Sequence, residues 1–155
     1  MREVCISLAC WPGASLAQAA QACLDEPLHE PLWGRLSARH VQLVPQTRTM
    51  LDEEWIEALL ERYPNTQFRL HANVRLQPCG RIVDLSDYPQ ERAWFERAAY
   101  LSRLLGAPAY SAHSGRRAQA SLEHIFDAAR ALSDLFECPV AIEGQYPTRD
   151  GAWLI

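Results

Sequence analysis

Hydrophobic positions along the chain alternate between two spacings. Short, mostly uncharged runs read as buried strands: Val4–Ala9, His40–Val44, Gln67–Val74, the run ending at His113, and Pro139–Glu143. Between them, apolar residues recur at helical spacing. Leu16, Ala19, Ala20 and Cys23 form one stripe behind the cap residue Ser15. Trp55, Ile56, Leu59 and Leu60 form a second, opened by Thr49 and Asp52 in the manner of a capping box and closed near Tyr63 by Pro64. Trp94, Phe95, Ala98, Leu101, Leu104 and Leu105 define a helix over Pro89–Leu105, stopped by Gly106. Leu122, Ile125, Ala129, Leu132 and Phe136 define the last, with Ser121 as its cap. Leu32–Ala38 reads as a further short helix, and Arg75–Tyr88 as a long loop of the kind that carries function.

The order is therefore strand, helix, strand, repeated until a fifth strand. Strands that are near-continuously apolar and separated by helices pair in parallel. Two architectures satisfy this: an open doubly wound sheet, and part of a (β/α)8 barrel. Neither GxGxxG nor GxxxxGK[ST] is present, which weakens the nucleotide-binding forms of the open sheet.

Composition adds limits. The chain of 155 residues is one domain's worth, 48% hydrophobic and 22% charged, so a packed core is expected. A net charge of −4 without a basic run speaks against a broad nucleic-acid or membrane surface, although Arg116–Arg117 could form a local basic patch. Five cysteines make no CxxC pair and Met1 leads straight into a strand, so a reduced cytoplasmic protein is expected. No stretch approaches membrane-spanning length.

The candidate chemistry lies at strand ends. His71, His113 and Glu143 each close a predicted strand, spaced by roughly one βα repeat. In both architectures the carboxyl ends of parallel strands form the ligand-binding edge. Two imidazoles and a carboxylate converging there suit Zn²⁺, Mn²⁺ or Fe²⁺. Any one of the three, taken alone, is explained as well by a structural hydrogen bond or a helix cap. His29, His40 and His124 read as surface or packing residues.

The segments Leu70-His71-Ala72-Asn73, Ser111-Ala112-His113-Ser114-Gly115 and Ala141-Ile142-Glu143-Gly144, with the helix Arg92–Gly106 before the second of them, resemble the xylose-isomerase-like TIM barrels. That superfamily holds metal-dependent sugar isomerases and epimerases and endonuclease IV-type enzymes of abasic-site repair. The resemblance runs the length of the chain, over about five of a barrel's eight units. It implies a partial barrel of about five parallel strands, 1–155, with His71 and His113 as the endonuclease-IV-type histidine ligands. Glu143 would be the glutamate that binds metal and, in the epimerases, also moves a proton. Ser114 replaces a common proline, Gly144 replaces a common Asn or Pro, and the ligands of strands six to eight have no counterpart.

The functional expectation is a divalent-metal enzyme of the sugar or sugar-phosphate isomerase or epimerase type, acting on a small carbohydrate by proton transfer alpha to a carbonyl. An abasic-site phosphodiesterase and a non-catalytic barrel fragment are the alternatives. The apolar run Gly151–Ile155 suggests either a piece of a longer protein or a homo-oligomer that covers the open sheet edge.

Overall fold

Each predicted strand–helix repeat adds one parallel strand to a single growing sheet. The computed structural model describes residues 2–8, 16–25, 29–30, 34–45, 52–72, 82–115 and 120–144. The elements are β1 (Arg2–Ser7), α1 (Leu16–Leu24), β2 (His29–Glu30), β3 (Gly34–Leu43), α2 (Glu53–Arg62), β4 (Gln67–His71), a 3₁₀ turn (Leu85–Asp87), α3 (Arg92–Leu104), β5 (Tyr110–His113), α4 (Leu122–Phe136) and β6 (Val140–Glu143).

The sheet order is β1-β3-β4-β5-β6, parallel throughout, and β2 pairs antiparallel with the start of β3. Every new parallel strand lies beside its predecessor. A doubly wound sheet reverses direction at a switch point, and this sheet does not, so its winding is that of a barrel. The fold is α/β, with five parallel strands in a partial TIM-barrel-like arrangement.

Local chemistry explains the helix boundaries. Asp52, not Thr49, caps α2: its side chain accepts the Trp55 N–H at 2.8 Å, while Glu53 and Glu54 occupy the positive end of the helix dipole. Thr49 lies outside the described residues. Ser121 accepts the His124 N–H at 3.2 Å and starts α4. The third predicted helix begins later than its sequence pattern suggests, at Arg92, because Pro89–Glu91 are taken up in turns. Gly106, at φ +59°, ends it in the left-handed region.

Two further expectations are corrected. Leu32–Ala38 is not a helix where it is described: residues 34–38 belong to β3, held between β1 on one side and β2 at its start. Local propensity lost to sheet pairing on two flanks. Nor are the strands apolar on both faces. Ile6, Val41, Leu43, Phe68, Leu70, Tyr110 and Ala112 join Ile56, Leu59, Phe95, Leu101, Ile125, Leu132 and Phe136 in one core between sheet and helices. Fully burying each of the larger side chains stabilises the fold by about 1.5–3 kcal/mol. The residues between them in β3, β4 and β5 are polar: Gln42, Arg69, His71, Ser111 and His113. On α4 the buried face is Ile125, Ala128, Ala129, Leu132 and Phe136, whereas Leu122 turns outward and is 46% exposed.

Candidate metal centre

Period-two alternation separates the sheet into an apolar face under the helices and a polar face opposite. Parallel register then carries the polar residues into neighbouring positions. His71 pairs with Ser111, and His113 with Glu143. The ladder continues past the strand ends, where Ala72 N–H donates to Ser111 O at 2.7 Å and Ser114 N–H to Glu143 O at 3.0 Å. The three strand-end residues singled out from the sequence are thus brought together at the carboxyl ends of β4, β5 and β6. One donor atom from each lies within 4.8 Å of the others, and the His71 and His113 rings meet edge to face with centroids 5.1 Å apart.

His71 is buried, and both of its ring nitrogens face acceptors. Nδ1 is 2.6 Å from the Ala72 carbonyl oxygen, and Nε2 is 2.6 Å from Glu143 Oε2. A neutral imidazole carries one hydrogen and can satisfy only one of these contacts. If Nδ1–H donates to Ala72, the Nε2 lone pair confronts a carboxylate oxygen. A proton or a cation between them resolves the conflict. A histidine held through Nδ1–H by a backbone carbonyl, with Nε2 presented outward, is the usual second-shell arrangement of a metal ligand.

His113 is also buried, and its Nδ1 has no hydrogen-bond partner among the described residues. Burial, then the neighbouring His71, push its pKa down, and Glu143 opposes them only in part. A neutral imidazole has the lone pair that a metal requires. Glu143 differs from the two histidines: its side chain is 53% exposed on the outermost strand, at the mouth of the site. The donor set of two nitrogens and one carboxylate fits a divalent cation of intermediate softness.

The turn before α3 supports this edge. Asp84 accepts the Ser86 N–H at 2.9 Å, and the Asp84 N–H donates to Asp87 at 3.1 Å, closing a reciprocal cap. Gly115 packs against it at φ +91°; a Cβ there would stand 2.5 Å from Asp84 Oδ1. The end of β5, with His113, is thereby fixed to the turn.

Other residues read from the sequence divide. His40 is half-buried on β3, and His124 is half-buried in the first turn of α4, both consistent with packing roles. The His29 side chain, Asn73, residues 75–81 of the long loop, Arg116, Arg117 and residues 151–155 lie outside what is described. Sequence reasoning missed Gln42, Ser111 and Arg69 as members of the polar face. Gln42 Nε2 donates to Ser111 Oγ at 3.1 Å, reaching across β4. The signal was present in the alternation Phe68-Arg69-Leu70-His71 and Tyr110-Ser111-Ala112-His113, where Arg69 and Ser111 share the parity of the histidines.

No family model matches the chain, and no curated protein matches it. Among solved structures the chain is similar to a xylose isomerase domain protein from Planctomyces limnophilus, with a TM-score of 0.52 and 16% identity over 96% of this chain. At that identity the likeness is one of fold, and it agrees with the barrel winding read from the strand order. The chain spans 55% of the length of that protein. Among the described residues no helix is long and apolar enough to cross a membrane.

Proposed function

We propose that this domain carries the metal-binding part of a sugar isomerase or epimerase site. The observation that supports it most directly is the pair of acceptor contacts around His71, with the unpartnered Nδ1 of His113 beside it. A cation where the three side chains meet would satisfy both features at once. His71, His113 and Glu143 would hold a divalent ion such as Zn²⁺ or Mn²⁺. Bound there, the ion would polarise a carbonyl oxygen of an open-chain sugar and acidify the neighbouring carbon.

The protein's own residues divide the remaining work. Glu143 is brought to the site by its register with His113 on the neighbouring strand. The exposed Glu143 takes the proton from the carbon alpha to the carbonyl. Reprotonation of the same carbon from the opposite face, by a second acid beyond Glu143, gives an epimer. Returning the proton to the former carbonyl carbon, while the hydroxyl proton moves to the other oxygen, gives an isomer. The buried histidines and the Asp84–Asp87 turn hold the base in place. The fold likeness to a xylose isomerase domain protein supports a small carbohydrate as the substrate class. His71 and His113 would serve the abasic-site alternative equally, and the local basic patch at Arg116–Arg117 that it would use lies outside the described residues.

Elemental analysis of the purified protein, beside His113→Ala and Glu143→Gln, tests the reading. About one ion per chain in the wild type and its loss in His113→Ala are expected. Glu143→Gln is expected to abolish exchange of the sugar's alpha proton with deuterium. A metal-free wild type that also binds no added Zn²⁺ or Mn²⁺ refutes the proposal.

A further inference from the structure

The polar face holds a positive charge that the metal centre does not use. Arg69 stands on β4 two residues before His71 and on the same face, so their Cα atoms are about 7 Å apart. It is half-buried, and its Nε is shielded from solvent with no hydrogen-bond partner among the described residues. His40, on the adjacent β3, has its Nε2 in the same condition. Its register partner is Gln67, two residues below Arg69 on β4, which places His40 diagonally beside Arg69. Burial, followed by the charge of Arg69, pushes the His40 pKa down, so at neutral pH the guanidinium is the charged group of the pair.

Uncompensated charge in a half-buried position is costly. Among the described side chains of this face in β3 to β6, the single carboxylate is Glu143, and it is engaged with His71. Gln42, opposite Arg69 in register, is tied to Ser111. A guanidinium nitrogen and an imidazole nitrogen, neither with a hydrogen-bond partner among the described residues, therefore lie near each other on the face that carries the candidate metal centre.

We propose that Arg69 and His40 form an anion-binding subsite, so that the substrate is an anionic sugar bearing a phosphate or a carboxylate. This rests on the metal-site reading for the position of the sugar's reacting end. The anion sits at Arg69, the chain of hydroxyls crosses Gln42 and Ser111, and the carbonyl end reaches His71, His113 and Glu143. A guanidinium binds either anion through paired N–H donors, whichever of the two the sugar carries.

Calorimetric titration with inorganic phosphate, D-ribulose, D-ribulose 5-phosphate and D-ribonate tests this in wild type, Arg69→Gln and Arg69→Lys, with bound metal measured in each. The anionic sugars are expected to bind at least tenfold more tightly than D-ribulose. Arg69→Gln should remove that advantage at unchanged metal content, and Arg69→Lys should keep part of it. An advantage for the phosphate ester alone assigns a sugar phosphate, and one for D-ribonate alone a sugar acid. If none of the sugars binds, Arg69-dependent binding of inorganic phosphate still upholds the subsite. Its absence overturns the proposal, as does equal affinity for neutral and anionic sugars. If Arg69→Gln does not fold, Arg69→Lys decides: an unchanged preference for the anionic probes in that variant, with no displacement by phosphate in the wild type, refutes a site at this residue. Arg69-dependent phosphate binding in a protein that takes up no metal leaves the subsite standing and removes the metal reading.

Discussion

Replacing Gly115 with alanine measures how tightly the end of β5 is held. The residue is buried at φ +91°. Forcing an L side chain into positive φ costs about 1–2 kcal/mol. The added Cβ would also stand 2.5 Å from Asp84 Oδ1, 2.6 Å from Ser86 Oγ and 2.7 Å from Ser86 Cβ, well inside contact distance. Overpacking of this kind costs about 1–3 kcal/mol. The two effects together predict a loss of about 2–5 kcal/mol, or a Tm lower by about 5–15 °C for a domain of this size. Gly106→Ala isolates the first effect, because Gly106 also has positive φ, +59°, but nothing lies within 4 Å of its Cβ position. That variant should lose about 1 kcal/mol. Urea unfolding of both, with bound metal measured in parallel, separates backbone strain from steric conflict. Gly115→Ala should also weaken metal retention, since relief of the clash moves either the Asp84–Asp87 turn or the strand end bearing His113. Equal destabilisation by the two substitutions would refute the idea that the turn clamps this strand.

Three further outcomes are expected. His40 binds a proton less readily in the folded chain than its ordinary value near 6.5 implies, so its contribution to stability is complete above that pH and declines as the solution is acidified below it; denaturation of metal-free wild type and His40→Asn between pH 7.5 and 5 should show the shallower dependence in the variant, and parallel curves would contradict the assignment. Asp52→Ala removes the side-chain acceptor at the start of α2 and should cost about 1 kcal/mol in urea unfolding, with no change in metal content. Phe136→Ala empties a fully buried site stacked 4.2 Å from the Tyr110 ring and should cost about 3–5 kcal/mol in urea unfolding, with equal stability of variant and wild type contradicting the packing.

Much of the fold was legible because the helical stripes are long and the punctuation is strong. Pro64 after α2, Gly106 after α3 and Ser121 before α4 each mark a boundary that the structure places within a residue or two. The stretch from residue 34 to 38 was not legible, since its strand state depends on β1, a distant partner that no local window contains, and on β2, a two-residue strand too short to show a hydrophobic pattern. The convergence of His71, His113 and Glu143 could be anticipated because each ends a strand, and parallel strands end on one side. Their protonation conflict could not, since it depends on which ring nitrogen meets the Ala72 carbonyl. Arg69, Gln42 and Ser111 were overlooked because the strands were read as apolar runs, and a run conceals parity.

The outermost position of β6 has a thermodynamic consequence. Among the described residues β6 pairs with β5 alone, and Ala141, Ile142 and Glu143 are all exposed, whereas Tyr110–His113 are buried throughout. Two of the three donors belong to the stable interior, and the third belongs to the strand with least burial to hold it down. Separation of this strand costs less than that of β4 or β5, which are paired on both sides. A ligand that joins His71 and His113 to Glu143 therefore acts as a crosslink, and its binding energy is shared with strand docking. Occupancy of the site and attachment of β6 become one equilibrium, so loss of the ion would be felt first as fraying of this strand.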